Sequence, residues 1–162
     1  MKKVRWLTPT EERAWRGYRR MRTLLDLRIS RDMAGDSGLS EADYDVLSTL
    51  TEGDGSPWRA NELAARLLWS TSRLAHQVGR MERRGLVARQ VYEGDRRGAL
   101  INLTDVGLAT LKTVAPSHVE SVRRHLIDLL TPAEIDTLAL ISQKVIERLT
   151  AAYARDEVPG SD

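Results

Sequence analysis

The chain has 162 residues, a formal net charge of +2 and no cysteine. A chain of this length can build one domain with a hydrophobic core, and the lack of cysteine excludes disulfide bonds, thiolate zinc sites and cysteine-based redox chemistry. No stretch approaches the roughly 20 apolar residues of a membrane span, and the N-terminus does not have the apolar run of a signal peptide. We therefore expect a cytoplasmic protein without a membrane partner.

Two helices are predicted in the first fifty residues, over residues 10–33 and 41–50, because apolar side chains recur there at helical spacing. Thr10 and Ser40 are the expected N-caps, since a side-chain oxygen in that position accepts a hydrogen bond from the first helical turn. Asp43 follows Ser40 by three residues and so occupies the partner position of a capping box.

Two shorter helices are predicted next, over residues 62–68 and 71–84. Asn61 and Ser70 are their expected N-caps, and Gly85 is the expected terminator of the second helix. Two helices joined by so short a connection are typical of a helix-turn-helix.

The periodicity then changes from that of a helix to that of a strand. Residues 86–92 and 99–103 predict a β-hairpin with a polar turn at 93–98. Charge is also unevenly distributed, because nine arginines stand against four acids between Arg59 and Arg97. This clustering indicates a face that meets a polyanion, although a GC-rich genome would account for part of the arginine count.

Two long helices are predicted at the end of the chain. The first begins after Thr104 and contains Pro116, which we expect to kink or interrupt it. The second begins at Thr131 and Pro132, a cap followed by proline in the first helical position. Apolar stripes on the terminal helices cannot be fully buried in a monomer of this shape, which predicts a homodimer.

The order of helix, short turn, helix and basic hairpin indicates a fold that is mainly α, a winged helix-turn-helix with a small β-hairpin wing and long terminal dimerisation helices. In the second helix of the motif, Leu74, Val78 and Met81 are predicted to pack inward. The opposite face is predicted to contact double-stranded DNA and consists of Ser72, Arg73, His76, Gln77 and Arg80. Ser70 and Thr71 stand at the helix N-terminus, where the dipole favours a phosphate.

Several segments of the chain follow one known pattern. They are Asn-Glu-Leu-Ala-Ala-Arg-Leu at residues 61–67, Ser-Thr-Ser-Arg-Leu at 70–74, Arg-Met-Glu-Arg-Arg-Gly-Leu-Val at 80–87, and Asp-Arg-Arg-Gly at 95–98 followed by Leu-Ile-Asn-Leu-Thr-Asp-Val-Gly. Together they resemble the core, the wing and the start of the fifth helix of the MarR (multiple antibiotic resistance regulator) family. The resemblance covers about residues 8–152.

The resemblance implies a homodimeric, sequence-specific DNA-binding transcription regulator. In many members of the family a small-molecule effector lowers the DNA affinity. From the basic helix face and hairpin we expect a repressor of nearby genes, and from the dimer we expect a near-palindromic operator. The resemblance also places Asp95, Arg96 and Arg97 in the wing, with an arginine entering the minor groove while the aspartate holds a neighbouring arginine.

The expected organisation is a single domain over residues 1–162. Within it we expect a winged-helix DNA-binding lobe at about 36–103, and a helical dimerisation lobe built from about 8–34 and 104–154. The alternative reading of the same fold is a protein-interaction module that does not bind DNA sequence-specifically.

The turn between the two short helices departs from the family pattern. Leu68 replaces the usual glycine, and Trp69 replaces a small aliphatic residue. A leucine in the left-handed conformation is strained, so we expect the turn to be reshaped.

Two groups of residues invite a ligand but also have a simpler interpretation. Trp15, Tyr18 and Trp69 would line an aromatic effector pocket, although aromatic residues at helical spacing more often belong to a core. His118 and His125 lie seven residues apart without a carboxylate cluster at ligand spacing, which favours packing over a metal site.

We expect no enzymatic activity, no catalytic residue and no cofactor. The sequence contains no glycine-rich phosphate loop, no Gly-x-Ser-x-Gly motif and no His-Glu-x-x-His motif.

Overall fold

The structure describes residues 4–52, 55–91 and 99–156, and in the computed structural model these residues form α-helices and a three-stranded antiparallel sheet. The elements are α1 (Pro9–Ser37), α2 (Glu41–Leu50), β1 (Trp58–Arg59), α3 (Ala60–Arg66), α4 (Thr71–Arg83), β2 (Val87–Val91), β3 (Ala99–Leu103), α5 (Asp105–His125) and α6 (Pro132–Asp156). This order confirms the mainly α winged helix-turn-helix. Within the described residues, none of the helices has the length and apolar composition that a membrane crossing requires.

The chain divides into two compact units, residues 1–121 and 122–162. The first unit contains a continuous hydrophobic core, whose most deeply buried side chains are Leu39, Val46, Leu47, Leu63, Leu74, Val78, Met81 and Ile101. The inward orientation predicted for Leu74, Val78 and Met81 is therefore confirmed. The core lies directly behind α4 and fixes which face of that helix meets solvent.

The second unit contains the end of α5, a short 3-10 turn (Ile127–Leu129) and α6. An ion pair from Arg123 to Asp128, with an N–O distance of 2.6 Å, joins the end of α5 to the turn. Large apolar side chains on α6 remain exposed in the single chain, namely Leu140, Ile141, Val145, Ile146 and Leu149.

The helix starts follow local capping chemistry, with two corrections. Ser40 caps α2 with Asp43 as its capping-box partner, as predicted. The cap of α1 is Thr8 and not Thr10, because Thr8 and Glu11 form a capping box and Pro9 then occupies the first helical position. α1 is also longer than expected and ends only at Ser37.

The strand β1 was not predicted. Trp58 pairs with Ile101 and Arg59 with Leu100, so that β3 lies between β1 and β2. The chain turns directly from this strand into α3, which therefore begins at Ala60 without a side-chain cap. The expectation that Asn61 caps α3 is wrong for this reason.

The helix α5 is not interrupted at Pro116, contrary to one of the two expectations for this residue. Proline removes one hydrogen bond of the helix. Contacts on both sides of it hold the helix in place, because Val114 is buried before it and the Ser121 hydroxyl donates to Asp32 Oδ2 at 2.8 Å after it.

The start of α5 packs against the backbone where the winged lobe leaves α4. The Thr104 hydroxyl donates to the carbonyl oxygens of Gly85, at 2.6 Å, and Leu86, at 3.0 Å, and it accepts from the backbone N–H of Gly107, at 2.9 Å. A Cβ atom at Gly107 would lie 2.0 Å from the Leu86 carbonyl oxygen, so the close approach requires glycine.

Gly107→Ala is therefore expected to lower the free energy of unfolding by ~1–3 kcal/mol, the usual cost of overpacking, even though alanine is the better helix former. The matched control is Gly79→Ala in α4, where an added Cβ meets nothing within 4 Å and where we expect a gain of ~0.5–1 kcal/mol. Urea unfolding of the two variants checks this, and equal effects of the two substitutions would contradict the packing seen at Gly107.

Candidate nucleic-acid interface

The helix α4 presents a polar face to solvent. Because Leu74, Val78 and Met81 are buried on one side, the other side is left exposed. The exposed residues of this face, which we call the reading face, are Ser72, Arg73, His76 and Arg80. All four side chains carry groups that can donate hydrogen bonds, as contacts to bases and phosphates require.

The N-terminus of α4 is suited to an anion. The Ser70 side chain caps it by accepting a hydrogen bond from the Arg73 N–H at 3.2 Å, which confirms the predicted cap. The first amides of a helix lack intrahelical acceptors and point out along the axis. Ser70 and Thr71 are both exposed at this end, where a phosphate would meet those amides.

Gln77 does not belong to the reading face, and the prediction that it is exposed is wrong. Its exposed fraction is only 3%. Gln77 follows Leu74 by three residues and precedes Met81 by four, which places it on the apolar side of the helix. Its Nε2 donates to Asp43 Oδ1 at 2.7 Å, and its Oε1 accepts from Arg80 Nη2.

Asp43 is the buried acceptor at the centre of this contact between α2 and α4. It also accepts from the backbone N–H and hydroxyl of Ser40, both at 2.9 Å, and from Arg84 Nη1 at 2.8 Å. Burial raises the pKa of the Asp43 carboxyl, but the hydrogen bonds from Ser40 and Arg84 outweigh burial and leave the pKa below its ordinary value. The carboxylate is therefore ionised at neutral pH.

The turn before α4 has one residue in the left-handed conformation, although that residue is a leucine and not a glycine. Leu68 has φ of 54°, so the prediction of a reshaped turn is wrong. Backbone hydrogen bonds from Leu68 N to Ala65 O, at 3.1 Å, and from Trp69 N to Ala64 O, at 2.9 Å, hold this geometry. The Leu68 side chain is left 82% exposed beside the reading face.

Trp69 supports an arginine of the reading face. The Arg73 guanidinium lies over the Trp69 ring, 4.2 Å from its centroid, within the range of a cation–π interaction. Trp69 itself packs partly against the hydrophobic core.

The wing strands are tied to α4 through Arg89 on β2. Its backbone N–H donates to Glu82 Oε1 at 3.1 Å, and its guanidinium donates to the Ala75 carbonyl oxygen at 3.3 Å. The predicted wing residues Asp95, Arg96 and Arg97 lie outside the described residues.

Comparisons with known proteins agree on one family. The MarR family model matches residues 37–98. AbsC, a MarR family transcriptional regulator from Streptomyces coelicolor, is 42% identical, with a TM-score of 0.84 over 91% of this chain and 99% of AbsC. The chain belongs to the MarR family. The resemblance inferred from the sequence is thereby confirmed.

A second MarR family structure is that of Sco3205 from Streptomyces coelicolor, solved in complex with DNA. It is 37% identical, with a TM-score of 0.86 over 92% of this chain and 93% of Sco3205. The regulator PecS of Dickeya dadantii is 35% identical over 96 residues, which span 58% of this chain and only 55% of PecS. As a member of the MarR family, the chain is a DNA-binding transcription regulator.

The three aromatic residues predicted for an effector pocket fall into two groups. Trp15 and Tyr18 stack on α1, with ring centroids 5.9 Å apart, and each is about half exposed. Trp69 lies at the start of α4 beneath Arg73. A separate surface groove of about 410 Å³ on α1 is lined by Arg16, Arg19, Arg20, Thr23 and Leu24. A shared aromatic pocket stays a prediction.

His118 of α5 packs on α2. The centroid of its ring lies 4.2 Å from the centroid of the Tyr44 ring. Its Nδ1 is buried without a hydrogen-bond partner among the described residues. Burial lowers the pKa of His118, although the charge of Glu41 opposes this. Burial and the charge of Glu41 raise the pKa of Asp45, and Arg73 partly offsets them. The lowered pKa of His118 keeps this side chain in its neutral form where α5 packs on α2.

Leu68→Gly is expected to raise the free energy of unfolding by ~0.5–1 kcal/mol. Relief of the left-handed strain is worth ~1–2 kcal/mol and exceeds the ~0.5–1 kcal/mol that glycine loses in chain entropy. The mostly exposed side chain contributes little burial. The control is Leu67→Gly, at a residue with φ of −81°, which should destabilise. Denaturant titration gives the free energy of unfolding of both variants. A Leu68→Gly variant that is less stable than the wild type would show that Leu68 is not strained.

Stability is expected to fall as the pH drops below about 6.5, the ordinary pKa of histidine, because the unfolded chain then binds a proton that folded His118 resists. The contribution of His118 to the free energy of unfolding is fully present above that pH, since its pKa is lower in the folded chain than in the unfolded chain. His118→Phe keeps a ring against Tyr44 and removes the titration. From pH 7.5 to 5.5 the wild type should therefore lose more free energy of unfolding than the His118→Phe variant. A stability difference between the two that does not change with pH would rule the effect out.

Proposed function

We propose that the chain acts as a homodimer that binds a near-palindromic operator in double-stranded DNA and represses nearby genes. The observation that carries the proposal is the reading face of α4, whose polar side chains are exposed while the opposite side is anchored in the core. The DNA complex of Sco3205, a relative with 37% identity, supports DNA as the partner. A major groove is wide enough to admit such a helix.

In this proposal α4 enters the major groove and the wing flanks it. Ser70 and Thr71 meet a backbone phosphate at the helix N-terminus, which also fixes the register. Asp95, Arg96 and Arg97, which lie outside the described residues, supply the wing contact, because an arginine is attracted by the negative potential of a narrow minor groove. Each subunit reads one half-site, and the two half-sites lie about one helical turn apart.

The homodimer is supported by apolar side chains that a single chain leaves in water. On α1, Trp15, Leu24 and Leu27 are each about half exposed, and on α6 Leu140 and Ile146 are exposed by more than 60%. Large apolar side chains that lie exposed on the same helix are typical of protein–protein interfaces. A second copy of the chain is the partner that twofold symmetry supplies most simply.

We further propose that a small-molecule effector lowers the DNA affinity and that the protein works in the cytoplasm without catalysing a reaction. Trp15, Tyr18 and Trp69 are the proposed effector contacts. The repressor role is supported by MprA of Escherichia coli, a transcriptional repressor that is 28% identical over 112 residues.

The function is tested by fluorescence anisotropy with a duplex from upstream of the protein's own gene and a scrambled duplex of equal length. The wild-type dimer is expected to prefer the upstream duplex, with binding that weakens steeply as salt rises. His76→Ala should reduce this preference by ~1–3 kcal/mol at the contacted base, while Arg97→Ala should weaken both duplexes alike and lower the salt slope by about 1.

The matched control is Arg123→Ala, since Arg123 is an exposed arginine paired with Asp128 on the second unit. It should leave both affinities unchanged. Equal binding of the two duplexes by the wild type, or no binding at low salt, would favour a protein-interaction module instead.

A further inference from the structure

Gln77 is an unusual residue for its place in α4. It lies on the buried side of the helix, beside Leu74, Val78 and Met81, and is 3% exposed. An apolar side chain of similar length would fill this position without the cost of burying an amide. A buried polar side chain in such a position calls for a reason other than stability.

The amide of Gln77 has a fixed orientation. Its Nε2 donates to the Asp43 carboxylate at 2.7 Å, while its Oε1 accepts from the Arg80 guanidinium. A flipped amide would place its oxygen against the carboxylate and its NH₂ against the guanidinium, and both hydrogen bonds would be lost. The amide therefore links one particular acceptor to one particular donor.

The inner end of this link is itself anchored. Asp43 Oδ2 accepts from Ser40 and from Arg84, so its carboxylate cannot turn away from Gln77 without breaking those hydrogen bonds. The outer end is Arg80, which is exposed on the reading face. A continuous set of hydrogen bonds thus runs from the start of α2, through α4, to a side chain that faces solvent.

We propose that Gln77 and Asp43 are positioning residues, which hold the Arg80 guanidinium in one orientation for its contact with DNA without touching the duplex themselves. The inference rests on the proposed function. Guanidinium carries five N–H donors, and the hydrogen bond to Gln77 leaves others for a base or a phosphate. An arginine that is already ordered loses less rotamer freedom on binding, which strengthens the contact.

Arg73 provides an internal comparison. It is held by stacking on Trp69, with its guanidinium 4.2 Å from the ring centroid, and not by the amide of Gln77. Loss of the Gln77 amide should therefore affect the contribution of Arg80 to DNA binding and leave that of Arg73 intact.

The test is a double-mutant cycle on the full-length protein. Gln77→Met keeps the length of the side chain and removes both hydrogen bonds. It is expected to weaken binding to the upstream duplex by roughly two- to tenfold per bound subunit, the equivalent of one freed side chain. The same loss should appear in an Arg73→Ala background, and it should disappear in an Arg80→Ala background. Asp43→Asn, measured in the same backgrounds, tests the hydrogen bond between Gln77 and Asp43 by changing its acceptor.

Each outcome decides the proposal. Loss of affinity only while Arg80 is present supports positioning, whereas an equal loss in all three backgrounds, or no loss at all, overturns it and leaves the proposed function standing. Thermal unfolding of each variant confirms that the protein assayed is folded. If the wild type itself shows no preference for the upstream duplex, the proposed function fails first, and the positioning role fails with it.

Discussion

The orientation of Arg80 on the reading face depends on one buried carboxylate, that of Asp43. Asp43 belongs to the first turn of α2, yet it accepts hydrogen bonds from Gln77 within α4 and from Arg84 directly after that helix. Because the Arg84 side chain remains 41% exposed, the pair is only partly desolvated and its net contribution to stability is small. Its effect is geometric, since hydrogen bonds to a charged group are short and directional. They hold the Gln77 amide, and through it the Arg80 guanidinium, in one orientation, while the apolar core behind α4 sets which face of the helix meets solvent.

A second constraint holds the C-terminal end of α4. Gly85 follows the end of α4 by two residues and turns the chain with a φ of 70°, and the Leu86 N–H then donates to the Met81 carbonyl oxygen at 3.0 Å. Thr104 bonds to the carbonyl oxygens of the same turn, and Gly107 brings α5 against it without room for a Cβ atom. The end of α4, the wing strands and the start of α5 therefore form one closely packed junction. In such a junction a shift of one element displaces the others, because packed interiors are not freely compressible.

The parts of the fold that depend on local chemistry could be predicted from sequence. Ser40 and Ser70 were identified as caps because capping needs only a side-chain oxygen and a nearby amide. The capping box of Thr8 and Glu11 is equally local, but the prediction places Pro9 before the helix and therefore puts the cap two residues too late, at Thr10. The two-residue strand β1 has no periodicity, and its pairing with β3 is a long-range contact that no local pattern reports.

The errors at the site arose where packing outweighs local preference. Gln77 was assigned to the reading face by its polarity, although its spacing from Leu74 and Met81 placed it on the buried side. Leu68 was expected to avoid the left-handed region, but the backbone hydrogen bonds that end α3 retain it there. Polarity and propensity describe a residue alone, whereas burial and hydrogen bonding are set by its neighbours. The wing tip lies outside the described residues, so its three predicted contacts still rest on sequence.

The helix α2 is the element through which a change at α5 would reach α4. Asp43 holds α4, while Tyr44, the next residue, packs on His118 of α5. Successive residues on a helix point about 100° apart, so one short helix can contact two neighbours at once. Ten hydrogen-bonded residues move together, and a displacement at Tyr44 therefore moves the Asp43 carboxylate as well. Hydrogen bonds weaken steeply once their geometry is lost, so such a displacement would weaken the hydrogen bond from Gln77 to Asp43. The effector proposed above would need no new contact with α4 if it shifted α5 against α2.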